Sequence, residues 1–154
     1  MDRSKTPHAC FKTEGGTSRE AQERFIQILA QHLRARLDGF RVVIKHKWFV
    51  PAWMCEVQVG GKSFALRVFK SEYADDEMIL LVGPLSPPDT PGLLGRLRGR
   101  TPKPYTYLDE LRGICREIHA LLSTTTGISR VRWYFESREN QAATGFATPD
   151  ELPW

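Results

Sequence analysis

"WMCEVQVGGKSFALRVF", Trp53 to Phe69, is the stretch from which the rest of the chain can be read. Apolar side chains recur at every second position on both sides of Gly60-Gly61: Trp53, Cys55, Val57 and Val59 before it, Phe64, Leu66 and Val68 after it. A period of two gathers alternate side chains on one face of a strand, and a pair of glycines tolerates the positive φ of a tight hairpin. Two antiparallel strands with a common apolar face are predicted.

The pattern extends in both directions. Upstream, "FRVVIKHKWF" sets Phe40, Val42, Ile44, His46 and Trp48 against Arg41, Lys45 and Lys47, a half-buried strand interrupted before the hairpin by Pro51. Downstream, "EMILLVG" is apolar at consecutive positions, as in a strand covered on both faces. "SRVRWYFE" closes the set, with Val131, Trp133 and Phe135 inward. Two helices flank these strands. The first opens on a capping box, Thr17 with Glu20, carries Phe25, Ile28, Leu29, His32, Leu33 and Leu37, and stops at Gly39. The second, about Tyr107 to Ser123, is capped by Thr106 and carries Leu108, Leu111, Cys115, Ile118 and Leu122.

Each helix has one apolar stripe, and short connections favour antiparallel pairing. The fold class is therefore α+β: a two-layer sandwich, mainly antiparallel, of about five strands with two helices on one face, in the order α-β-β-β-β-α-β. A chain of 154 residues, 41% hydrophobic, fills one core. Residues 1–16 hold few large apolar groups and read as a mobile tail, 17–136 as the domain, and 137–154 as a C-terminal tail without period in which Phe146, Leu152 and Trp154 are able to dock.

Lys and Arg number 22 against 18 Asp and Glu, a net charge of +4 that biases encounters toward anionic partners. Cys10, Cys55 and Cys115 form no CxxC or CxxH pattern, so neither a disulfide framework nor a zinc site is expected. No apolar signal region and no stretch of about 18 apolar residues is present, which reads as a cytoplasmic protein with no membrane partner.

Two candidate binding surfaces emerge. The outward strand positions are Arg41, Lys45, Lys47, Glu56, Gln58, Arg67, Arg130, Arg132, Tyr134 and Glu136, six cations against two carboxylates. The other is the long connection 84–104, rich in proline, glycine and arginine, where Leu93, Leu94 and Leu97 lie among Arg96, Arg98, Arg100 and Lys103. A short helical turn is expected there between Pro91 and Gly99. Its leucines either pack on the sheet as a lid or form an exposed docking patch.

Catalytic candidates are few. Cys115 and His119 share a helix face, but the cysteine lies in the apolar stripe, where a thiol stays inert, and His32 and His46 fall on inward positions. No phosphate loop, HExxH or GxSxG motif is present. The element order, with "CEVQV" on a central strand, is loosely similar to the core of the restriction-endonuclease-like nucleases. That resemblance implies Glu56 as a metal ligand, with Gln58 in place of the usual lysine and Asp38, Glu20 or Glu23 as further ligands.

The sequence favours a non-catalytic binding module of bacterial type (adaptor, inhibitor, immunity factor or chaperone) that needs no cofactor. It would hold an acidic protein partner through the basic sheet face or the 84–104 loop. Nucleic-acid binding through the same cations is the alternative, and a metal-dependent nuclease the third reading.

Overall fold

The computed structural model describes residues 6–37, 43–47, 52–85, 93–99, 107–135 and 145–154. Its elements are β1 (His8–Thr13), α1 (Arg19–Arg36), β2 (Val43–Lys47), β3 (Ala52–Val59), β4 (Lys62–Lys70), β5 (Glu77–Pro84), α2 (Leu93–Leu97), α3 (Leu108–Thr124), β6 (Ile128–Tyr134) and a final 3-10 turn, Pro149–Glu151. All strand pairs are antiparallel, in the order β2-β3-β4-β5-β1-β6. The α+β sandwich is the architecture expected, with one strand more than the periodicity predicts.

The hairpin forms as read. Gly60 and Gly61 take φ of 58° and 75°, and Cys55 faces Leu66 while Val57 faces Phe64. The apolar face runs across the sheet through Trp53, Val68, Leu80, Ala9 and Trp133, which occupy one row of the register. Against this face pack the buried stripes of both helices: Phe25, Ile26, Leu29, Ala30 and Leu33 of α1, and Leu111, Ile114, Cys115, Ile118, Leu121 and Leu122 of α3. The stripe of α1 is turned slightly from the expected one, so that Ile26 is buried and Ile28 is 47% exposed. The cap of α1 is Ser18, whose Oγ accepts from Ala21 N at 3.2 Å, whereas Thr17 donates its hydroxyl to Asp75 O at 2.8 Å. The predicted stops and caps at Gly39 and Thr106 lie outside the described residues. No described helix is long and apolar enough to cross a membrane.

The N-terminal tail is corrected. Residues 8–13, expected to be mobile, form β1 inside the sheet, pairing with β5 on one side and β6 on the other. Ala9 and Phe11 are fully buried, and Phe11 packs on Phe25 with ring centroids 5.0 Å apart. A count of large apolar groups misses such a strand because main-chain pairing on both edges supplies its order, and the site opposite Leu80 and Trp133 accepts a small residue. Residues 145–154 dock as well: Phe146 exchanges main-chain hydrogen bonds with Trp133, and Leu152 is buried.

Phe11→Ala should destabilise the fold by about 3 to 5 kcal/mol, the cost of emptying an aromatic site in a closed core, read from denaturant unfolding. Gly113→Ala should act in the opposite direction. A Cβ at this position in α3 would meet nothing within 4 Å, so the melting temperature should rise by the equivalent of about 1 kcal/mol.

Candidate partner-binding surfaces

The sheet face turned away from the helices is not the continuous basic field that alternation predicts. One row of the register holds Lys45, Met54, Arg67, Leu81, His8 and Tyr134, and another holds Phe69, Ile79, Cys10 and Arg132. Arg67 and Arg132 therefore share a face. Between Arg67 and Arg132, however, lie β5 and β1, a separation of about 14 Å at the usual strand spacing. In these two rows the side chains of the interval are neutral: Ile79 and Leu81 are half-buried, and His8 and Cys10 are buried; the next row holds Lys12 opposite Glu77. The missed strand β1 is the cause, because it displaces β6 to the far edge.

Arg130 departs further. Cys10 faces Arg132 and Lys12 faces Ser129, so Arg130 and Val131 together stand opposite Phe11 in a β-bulge, with Arg130 at φ 52°. The bulge breaks its alternation with Arg132. Tyr134 is 1% exposed, its ring stacked on His8 at 5.3 Å and closed over by Gly145, where a Cβ would lie 2.5 Å from Tyr134 Cζ. It offers no free face for a base to stack on. Arg41, Arg100, Lys103 and Glu136, with the side chains of Lys45, Lys47 and Arg96, lie outside the described residues.

The catalytic candidates separate in space. His119 turns toward β6, where its Nδ1 accepts a hydrogen bond from Trp133 Nε1 at 3.2 Å, and its Nε2 lies 3.3 Å from Ser123 Oγ. An indole N–H only donates, so this contact holds the imidazole as the neutral tautomer protonated on Nε2. Burial holds the Cys115 thiol far above its ordinary value and pushes Cys55 up to about 12, with Arg34 opposing the latter shift. Neither thiol ionises near neutral pH.

Glu56 alternates with the inward Cys55 and Val57 and so lies on the sheet face away from the helices, whereas Glu20 and Glu23 belong to α1 on the other side. These carboxylates do not converge, Asp38 lies outside the described residues, and no group of three metal-ligating side chains occurs among the described residues.

The 84–104 connection resolves differently. Its expected helical turn is α2, stopped at Gly99 with φ 73°, and Leu93, Leu94 and Leu97 are 78%, 71% and 76% exposed. They do not pack on the sheet, and the adjacent Arg98 is exposed too. At the base of this connection a shallow pocket of about 250 Å³ is lined by Gly61, Lys62, Ser63, Phe64, Pro84, Leu85 and Tyr107. The Lys62–Glu110 ion pair, 2.7 Å, ties the neighbouring hairpin turn to α3. At that volume the pocket falls below the usual range for a small-molecule site.

Residues that pattern reading did not single out as binding groups, Arg112 and Arg116 of α3, meet segment 145–154. Arg116 Nε donates to Asp150 Oδ1 at 2.7 Å, and the Arg112 guanidinium lies 5.4 Å from the centre of the Trp154 ring. Helical position alone gives no sign of it, since both are ordinary polar-face arginines until the distant segment arrives. No protein-family model, curated protein or solved structure matches the chain significantly.

Burial lowers the pKa of His8 and of His119 below the ordinary 6.5, opposed at His119 by the charge of Asp150. A histidine so shifted is protonated more readily in the unfolded chain. Its contribution to stability is thus complete above about 6.5 and is lost as pH falls through the lowered folded value. Denaturant midpoints should stay level between pH 8 and 7 and decline below 6.5, with a shallower decline in His119→Gln.

Proposed function

We propose that the protein is a non-catalytic binding module that docks an acidic protein partner through α2 and its basic surroundings. The observation that supports this reading is the exposure of Leu93, Leu94 and Leu97, the three most exposed of the large apolar residues described, on one five-residue helix. Such a patch, on the order of several hundred Å², is the size at which exposed apolar surface marks an interaction site. The leucines supply burial on binding. The arginines and lysine around them, four in the sequence from Arg96 to Lys103, steer an anionic surface toward them and raise the association rate. Prolines through the same connection reduce the conformational freedom lost on docking.

Adaptor, inhibitor, immunity and chaperone roles all fit a small module of this kind, and a bacterial, cytoplasmic setting suits three buried cysteines that form no disulfide among the described residues. Nucleic-acid binding draws less support, because β5 and β1 separate Arg67 from Arg132 on the sheet face and Tyr134 is covered.

The test is capture of partners from the source cell by the parent chain and by the triple variant Leu93→Ser/Leu94→Ser/Leu97→Ser. The variant should melt within a few degrees of the parent, since exposed substitutions lie within about 0.5 kcal/mol each, and should lose at least tenfold in affinity for a protein that the parent captures after nuclease treatment. Capture abolished by nuclease, with binding that falls log-linearly with salt, would instead assign the cations to nucleic acid.

A further inference from the structure

We propose that the groove between α3 and β6, filled here by residues 145–154, is a second docking site, which exchanges this segment for an acidic, leucine- and aromatic-bearing peptide of a partner protein. This is independent of the α2 reading and rests on how the segment is held. Among the described residues it joins the sheet by a single antiparallel bridge, Trp133 with Phe146, and makes no further strand pairing. Its remaining contacts are those of a bound peptide. Leu152 is the buried anchor, and Trp154 sets its ring edge-to-face on Phe135 at 4.9 Å. The Arg112 guanidinium covers Trp154, and Arg116 takes Asp150.

The segment also satisfies itself. Glu151 Oε2 accepts from Ala147 N and Thr148 N at 2.8 and 3.2 Å, and Trp154 Nε1 donates to Pro149 O at 2.7 Å. Such a turn keeps its shape when it leaves. The groove, by contrast, is incompletely matched by this occupant. Arg112 Nε is buried and has no hydrogen-bond partner among the described residues, and a buried charged donor without an acceptor is costly.

A peptide that repeats the leucine and tryptophan anchors and adds a carboxylate near Arg112 would satisfy that donor. The same segment from a second copy of the chain would leave it equally unpaired, and so gains nothing by exchange. Main-chain pairing at Trp133 is open to any extended peptide, and the two arginines select an acidic one.

The experiment uses the full chain carrying Leu152→Ala/Trp154→Ala, which weakens the internal occupant, and fluorescein-labelled peptides titrated by anisotropy. The peptides are the native 145–154 sequence and its P153E form. The variant should bind the native peptide, and the P153E peptide at least threefold more tightly. Adding Arg112→Ala/Arg116→Ala should weaken both by tenfold or more. The parent should bind each at least a hundredfold more weakly, because its tethered segment competes at millimolar effective concentration. Serine at Leu93, Leu94 and Leu97 should leave peptide binding unchanged, which separates this site from α2.

A folded variant that binds neither peptide, or that binds the two equally, overturns the proposal. If the variant does not fold, amide exchange in the parent decides: the Phe146 amide should exchange at least a hundredfold faster than that of Leu66 in the β3–β4 hairpin, and equal protection would show a segment inseparable from the core.

Discussion

The main-chain pairing of β1 with two neighbours at once is the constraint on which the rest of the structure depends. The meander from β2 to β5 is built from consecutive strands, whereas β6 pairs with β1 and, among the described residues, has no other strand pairing to that meander. Six residues of β1 thus carry the register from Leu80 through Ala9 to Trp133 and hold a fully buried tryptophan over α3. The segment 145–154 pairs in turn with that same tryptophan. One edge of the domain is therefore a chain of dependencies, β5 to β1 to β6 to Phe146, each link formed between residues distant in sequence.

The polar contacts around this frame differ in weight. Lys12–Asp76, Lys70–Asp75 and Arg116–Asp150 lie at the surface, where ion pairs contribute little to stability. More depends on contacts made away from solvent. Ser71 Oγ donates to the buried Glu77 Oε1 at 2.7 Å and closes the turn between β4 and β5. The Trp133–His119 hydrogen bond joins α3 to β6 and disposes of a buried indole N–H. Together they brace the scaffold of sheet and helices. The proposed binding elements lie at its margins, on a long connection and on a peptide held at an edge, the usual division between a rigid scaffold and the segments it presents.

Charge illustrates how a linear pattern and a surface differ. Alternation correctly assigns Arg67 and Arg132 to one face, since it reports parity within each strand. It carries no information on how many strands stand between them. Two intervening strands turned a predicted basic field into cations at separate positions around His8, Cys10, Ile79 and Leu81. A bulge at Arg130 then broke even the parity, because an inserted residue resets the period of two.

What the sequence determined by itself was local. The glycine pair between alternating runs dictated the β3–β4 hairpin, the stripes of α1 and α3 dictated a layer of helices on one face, and "PGLLGRLRG" specified a short helix stopped by glycine. These follow from side-chain spacing and backbone sterics within a few residues, which any fold must respect. Tertiary structure alone decided that "HACFKT" is an inner strand, that β6 lies beyond it, that the leucines of α2 stay exposed, and that Phe146, Leu152 and Trp154 close over α3 and β6. The reason is the same in each case: these outcomes depend on which distant backbone edge or apolar surface is left to pair with once the local elements have packed, and the period of a short segment does not encode its partner.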